Sequence, residues 1–273
     1  MADAATMKSA KPLHGIAAAP QMLSFRSAMR SHAGRIRHDN QDVCAAAPEL
    51  GIFVVCDGMG GAAAGEIASQ MAADTFLQSL GHSAPGPGPS TAGATAKSRL
   101  EQAVVAANRA VYQRSQKYRA LRGMGTTLVA AHIHSTESAC TALIAHVGDS
   151  RCYLLRNNRL NLLTTDHSVV EEQIRAGLLS RQQAEFSPIR NIITRAIGTQ
   201  ATVPVDILEH SMLSGDVLLL ASDGLTRELS DPAIARILTT HTADLNAACD
   251  ALIHTANANG GRDNITVLLI TFA

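Results

Sequence analysis

Seven short runs rich in β-branched and other apolar residues recur along the chain: LGIFVVC, TTLVAAHI, CTALIAHV, RCYLLR, TVPVDILEH, DVLLLAS and NITVLLITFA. Runs of this length bounded by turn-forming residues predict strands, and those apolar on both faces predict central ones. Elsewhere the period lengthens to that of a helix. Residues 62–80 set Ala68, Ala72, Phe76 and Leu80 in steps of four, and residues 97–118 set Leu100, Val104, Ala107 and Val111 in steps of four and three. Each predicts a helix with one stripe to lay on a sheet. Leu245, Ala248, Leu252 and Ala256 mark another, closed by Gly260-Gly261, where a left-handed cap forms without strain. The segment GHSAPGPGPSTAGATAKS, between the first two helices, is dense in Gly, Pro and Ser and predicts a mobile loop. This order is not a βαβ alternation, and it favours sheet packed on sheet with helices outside.

Composition narrows the class. With 46% hydrophobic residues, 17% charged residues and a formal net charge of zero, the 273-residue chain reads as one globular domain. It has no strong field for nucleic acid or an anionic membrane. Aromatics are 3% with no Trp, so the core is built from Leu, Ile, Val and Ala, and no base-stacking platform is visible. Five dispersed cysteines without a CxxC pair fit a reducing, cytoplasmic setting. No apolar run approaches the roughly 20 residues of a transmembrane helix. Residues 1–25 lack the apolar core of a signal peptide and read as a flexible lead-in to a domain over residues 26–273.

Four aspartates stand at strand ends: Asp57 after IFVVC, Asp149 after LIAHVG, Asp223 after VLLLAS, and Asp263 ahead of NITVLLIT. Any one alone reads as a turn residue. In an antiparallel sheet, however, one strand's end lies beside its neighbour's beginning, so the four are placed to converge on one rim. Such carboxylates, with no Lys or Arg among them, raise one another's pKa unless cations neutralise them. All-oxygen ligands without His or Cys at metal spacing point to Mg²⁺ or Mn²⁺ rather than Zn²⁺. Two such ions about 4 Å apart polarise a water to hydroxide and clamp a phosphoryl group. Upstream, AGRIRHDNQDV joins two arginines to Asp39 and Asp42. On its own it reads as a solvated charge cluster, although a guanidinium there has the planar fork that suits phosphate.

Taken in order, GRIRHDNQD, VVCDGMGG, GMGTTLVAA, HVGDSRCYLL, LTTDHS, ITRAIG, LLLASDGL and GGRDNITVLLI resemble the protein phosphatase 2C-type, metal-dependent Ser/Thr phosphatases in their compact bacterial form. The resemblance runs from about Arg26 to the C-terminus and implies an α+β fold, a four-layer α-β-β-α sandwich. Two antiparallel sheets lie inside helix pairs, with two Mn²⁺ or Mg²⁺ ions at one end and a third, weaker site. By this resemblance Asp57 bridges two ions, and Gly58 binds one through its carbonyl. Asp223 and Asp263 complete the first shell, Asp42 stands beside the second ion through water, and Asp149 belongs to the third. Arg37, rather than Arg35, holds the phosphate, Asn264 orients Asp263, and Asn40 has a local structural part. Residues 169–192 correspond to a flap, which the Ser187-Pro188 break suits to movement.

The implied activity is hydrolysis of phosphoserine and phosphothreonine on proteins, the products of a cognate kinase, by in-line attack of a metal-bridged hydroxide. The implied enzyme is a monomer, with no nucleic-acid or membrane partner. Two departures stand out. Met59 replaces a His credited with protonating the leaving group in many eukaryotic members, leaving that proton to metal-bound water or to a neighbour such as His38. Gln41 replaces an acidic residue and removes a charge beside Asp42. The competing function is a phosphatase-fold binding module with a degraded metal site, against which the joint presence of Asp57, Gly58, Asp223 and Asp263 weighs. A third reading keeps the chemistry and makes the substrate an anti-sigma antagonist in a partner-switching pathway.

Overall fold

The structure, a computed structural model, describes residues 23–60, 64–81, 95–136 and 139–273. Most of the lead-in and of the Gly/Pro/Ser-rich loop lies outside the described residues. In chain order the elements begin with β1 (Phe25–His32), β2 (Asp42–Ala47), β3 (Ile52–Met59), α1 (Ala64–Gly81) and α2 (Ala96–Lys117). There follow β4 (Gly125–Thr126), β5 (Leu128–Ser135), β6 (Cys140–Val147), β7 (Arg151–Arg156), β8 (Arg159–Leu162), α3 (Val169–Arg175) and α4 (Arg181–Glu185). The chain closes with β9 (Asp206–Met212), β10 (Val217–Ala221), α5 (Asp223–Thr226), α6 (Asp231–Thr240), α7 (Leu245–Ala258) and β11 (Ile265–Phe272).

The strands form two antiparallel sheets, ordered β1-β11-β10-β7-β8 and β2-β3-β5-β6-β9, with β4 pairing β3 off the second. Three apolar clusters alternate with them. Phe53, Val55, Val129 and Ile144 from one sheet meet Leu218, Leu220, Leu268 and Ile270 from the other. Val54, Cys56 and Ala130 face outward onto Ala72, Phe76, Val104 and Val111 of α1 and α2. Leu219, Val267 and Leu269 face outward onto Ile234, Leu238, Leu252 and Ala256 of α6 and α7. These are the four layers that the resemblance implies, and the period-two alternation along β3 and β10 is what lets one strand feed two cores.

Helix ends follow local chemistry. Thr95 caps α2 by accepting from the Ser98 amide at 3.2 Å, and Gly261, at φ 56°, takes the left-handed turn after α7. Strand β9 begins at Asp206, later than the run TVPVDILEH suggests, since Pro204 has no amide to donate to a ladder. Among the described residues no helix is long and apolar enough to cross a membrane.

Candidate metal centre

Both sheets end at the same edge of the sandwich. In one, β2 and β3 pair so that Asp42 lies directly opposite Asp57. In the other, β10 sits between β7 and β11, with Ala221 opposite both Arg151 and Val267. Asp223 therefore leaves β10 where Asp149 approaches β7 and Asp263 approaches β11. Two carboxylates from one sheet and three from the other meet in this way. A cleft of about 490 Å³ is lined by Asp57, Gly58, Asp149, Asp223 and Asp263, with Arg37 and Arg227 on its wall. Asp42 lies behind it, buried at 6% exposure.

Local sequence holds this rim rigid. Ile52–Cys56 is fully buried, and four large apolar side chains in it contribute on the order of 8 kcal/mol gross, enough to carry a desolvated carboxylate at the strand end. The Asp57 amide donates to Thr127 Oγ1 at 3.0 Å, while Thr126 Oγ1 donates to the Asp57 carbonyl at 2.8 Å. Both threonines thus brace the backbone, as their position after Gly125 suggests. At Gly58 a Cβ would lie 2.2 Å from the Gly65 carbonyl oxygen and 2.6 Å from that of Gln41, so only glycine fits. The Gln41 side chain stands against Gly65 at the start of α1.

The electrostatics are those of an acidic cluster short of countercharge. Burial first, then Asp42, Asp223, Asp149 and Asp263, hold the Asp57 carboxyl well above its ordinary range. Asp223 is raised likewise by burial and then by Asp149, against the opposing pull of Arg227. Burial lifts Asp42 to about 6, with Ser222, Thr266 and Asp57 near enough to temper the rise. Among the described residues neither Asp42 oxygen nor Asp223 Oδ1 has a hydrogen-bond partner. A buried carboxylate oxygen left bare costs several kcal/mol, and a hard divalent cation is the ligand that removes that cost. The donor set therefore fits Mg²⁺ or Mn²⁺.

The loop ahead of β2 brings Arg37 into the cleft, where Nη2 pairs with Asp263 Oδ2 at 3.0 Å and the side chain stays 57% exposed. Arg35 lies away from it, its amide donating to the Gly261 carbonyl at 2.7 Å. Asn264 builds this loop. Its Nδ2 donates to the carbonyls of Ala33 and Asp39 at 3.0 and 2.8 Å, and its Oδ1 accepts from the Gln41 amide at 2.9 Å. Only its backbone amide reaches Asp263, at 2.9 Å to Oδ1. Asn264 thus contacts the Asp263 carboxylate through its backbone, while its side chain staples the Arg37 loop. Asn40 acts locally, donating to Ser31 Oγ at 2.8 Å. Met59 and His38 line the cleft, and Asn191, at the end of the 169–192 segment, and Ile193, just past it, reach it as well.

Arg227 corrects the expectation that no Lys or Arg stands among the carboxylates. It lies one turn past Asp223, directly after α5, pairs with Asp223 Oδ2, and stands 3.4 Å from Asp263 Oδ2 and 3.9 Å from Asp149 Oδ2. Among the described residues no three His, Cys, Asp or Glu side chains converge tightly enough to enclose an ion, with this guanidinium in their midst. The i,i+4 spacing in DGLTR was the available signal, hidden because no helical period announces so short a helix.

Residues 18–265 match the family described as Protein phosphatase 2C. The chain is 39% identical over 247 residues to the serine/threonine phosphatase stp of Listeria monocytogenes serotype 4b (strain F2365), covering 88% of this chain and 93% of that protein. The structure of the Mycobacterium tuberculosis serine/threonine phosphatase PstP/Ppp is similar at TM-score 0.78 and 32% identity, over 92% of this chain and 99% of that one. A catalytic domain of the serine/threonine protein phosphatase PstP in complex with two manganese ions is similar at TM-score 0.79 and 31% identity, over 92% and 99% of the two chains. Motif order, the two-sheet sandwich and the acidic rim converge with these likenesses: this chain belongs to the protein phosphatase 2C family.

Proposed function

We propose that this chain, a serine/threonine phosphatase of the protein phosphatase 2C family, hydrolyses phosphoserine and phosphothreonine on proteins at the acidic cleft, with two divalent cations bound there. The observation that carries this reading is the convergence of Asp57, Asp149, Asp223 and Asp263 from both sheets on a cleft that also presents Arg37, with Asp42 buried behind it and three buried carboxylate oxygens lacking a partner among the described residues. The likeness to a phosphatase domain described with two manganese ions supports Mn²⁺, and the oxygen donors suit Mg²⁺ equally. Asp57 would hold both ions and the Gly58 carbonyl one of them; Asp223 and Asp263 would complete the shell of the first, and Asp42 would stand beside the second, mainly through water. Asp149 belongs to a third position. When bound, the cations supply a nucleophilic water at neutral pH and neutralise charge developing on the phosphoryl oxygens.

The chain's own groups do the rest. Arg37, mobile enough to leave Asp263, offers two parallel N–H donors to the phosphate and fixes its orientation. Thr126 and Thr127 keep Asp57 from moving as charge builds. The 169–192 segment, with Leu178 at 77% and Phe186 at 79% exposure beside a base on the cleft at Asn191, is suited to cover the bound phosphopeptide. Five free cysteines, four of them buried, suit a reducing compartment and support a cytoplasmic setting. The test is phosphate release from a phosphothreonine peptide with Mn²⁺ or Mg²⁺: release is expected with metal and none after chelation. Release that persists undiminished in EDTA contradicts the reading.

A further inference from the structure

Countercharge on the rim is gathered on the carboxylates of one side. Arg227 serves the side built from Asp149, Asp223 and Asp263, with Nη2 on Asp223 Oδ2 and 3.9 Å from Asp149 Oδ2, and Nη1 3.4 Å from Asp263 Oδ2. Arg37 adds a second contact to Asp263 Oδ2 at 3.0 Å. Asp42 and Asp57, on the other sheet, form no ion pair with Lys or Arg among the described residues. Asp223 itself is split: Oδ2 is taken by the guanidinium, while Oδ1 is buried without a partner among the described residues.

We infer that Arg227 is a resident countercharge that competes with divalent cations for the Asp149–Asp223–Asp263 side of the rim. A cation that uses Asp223 Oδ2 and Asp149 binds only as the guanidinium leaves. A divalent ion held by these same two oxygens would stand within a few ångströms of the guanidinium, and the two positive charges repel at that separation. Asp223 Oδ1, facing no guanidinium nitrogen, remains free for a cation shared with Asp57. Arg227 thereby sets how many ions the rim takes: two in the wild type, with a further position closed by the chain's own cation. The inference rests on the metal-binding reading of the cleft and adds a stoichiometry to it.

Calorimetric titration of metal-stripped protein with Mn²⁺ tests this, comparing wild type, Arg227→Gln and Arg227→Lys. The expected result is one additional ion bound by Arg227→Gln, or the weakest wild-type event strengthened on the order of tenfold. Arg227→Lys, which keeps the charge, should remain close to wild type. Equal counts and affinities in wild type and Arg227→Gln overturn the inference while leaving the metal reading intact; no Mn²⁺ binding by any form removes both. A second measurement needs no neutralising variant to fold. The Arg227 Nε–H resonance of the wild type, assigned through Arg227→Lys, is followed during a Mg²⁺ titration into excess over the tighter ions. It should shift only at that later stage, and a resonance unmoved throughout contradicts the competition.

Discussion

Strand β10 is bounded by two buried aspartates, Asp216 ahead of Val217 and Asp223 after Ala221. Asp216, at 1% exposure, has both oxygens filled: Arg156 Nε donates to Oδ1 at 2.8 Å, and the Leu213 amide donates to Oδ2 at 2.8 Å, where Arg156 Nη2 also pairs. Asp223 has one oxygen on Arg227, the other bare, and Asp149, Asp263 and Asp42 as like-charged neighbours. Residue type, strand and burial are shared, so the difference lies in saturation. A buried carboxylate whose lone pairs are all filled braces the fold; one left unfilled among its own kind is stable only with a partner from outside the chain.

The largest effect that separates the two ends is catalytic. Asp223→Asn should lower phosphate release from a phosphothreonine peptide by at least about 10³-fold in kcat/KM, while Asp216→Asn leaves it within about twofold in protein that is folded at the assay temperature. Equal losses would mean that the rim aspartate is as structural as its counterpart. Stability should reverse the order. Asp216→Asn strands Arg156 and costs about 3 kcal/mol in urea denaturation, whereas Asp223→Asn in EDTA changes stability by less than about 1 kcal/mol, since it relieves like-charge repulsion as it weakens the Arg227 pair. Next comes Gly58→Ala, whose Cβ meets two backbone carbonyls at 2.2 and 2.6 Å. A loss of about 2 kcal/mol is expected, with Mn²⁺ affinity falling alongside it in calorimetry.

The smallest effect concerns an imbalance of the opposite sign. His146, near the end of β6, is buried with neither ring nitrogen hydrogen-bonded among the described residues, and its ring lies tilted against His167 at 4.6 Å. Burial first, then His167, lower its pKa to about 4, against the pull of Asp166 and Asp206. A histidine depressed in the fold is protonated first in the unfolded chain, so its contribution is complete above about 6.5 and is lost as pH falls toward 4. In Mn²⁺-saturated protein, His146→Gln should reduce the stability lost between pH 7 and pH 5 by about 2 kcal/mol relative to wild type. An unchanged acid limb would show that His146 does not set it.

The sequence made the inner strands and the acidic rim legible for one reason: apolar runs ending in Asp mark both. β3, β5, β6, β7, β10 and β11 are continuous apolar segments, and their terminal aspartates fall where antiparallel pairing puts them. β1 was hidden because FRSAMRSH is a mostly exposed edge strand carrying two arginines, and β2 because DVCAAA has few β-branched residues to signal a strand. Side-chain direction was harder still. Asn264 follows Asp263 in sequence, yet adjacent residues point apart as a strand begins, so one faces the cleft and the other the Arg37 loop. Arg227 escaped notice because its partners are distant in sequence except for Asp223, four residues back.

The most direct measurement is an anomalous difference map from a crystal of this protein soaked in Mn²⁺. Two peaks bridged by the Asp57 carboxylate are expected, one of them also held by Asp223 and Asp263, with the Gly58 carbonyl on one of the two. A map with no peak within coordination distance of Asp57 would contradict this expectation.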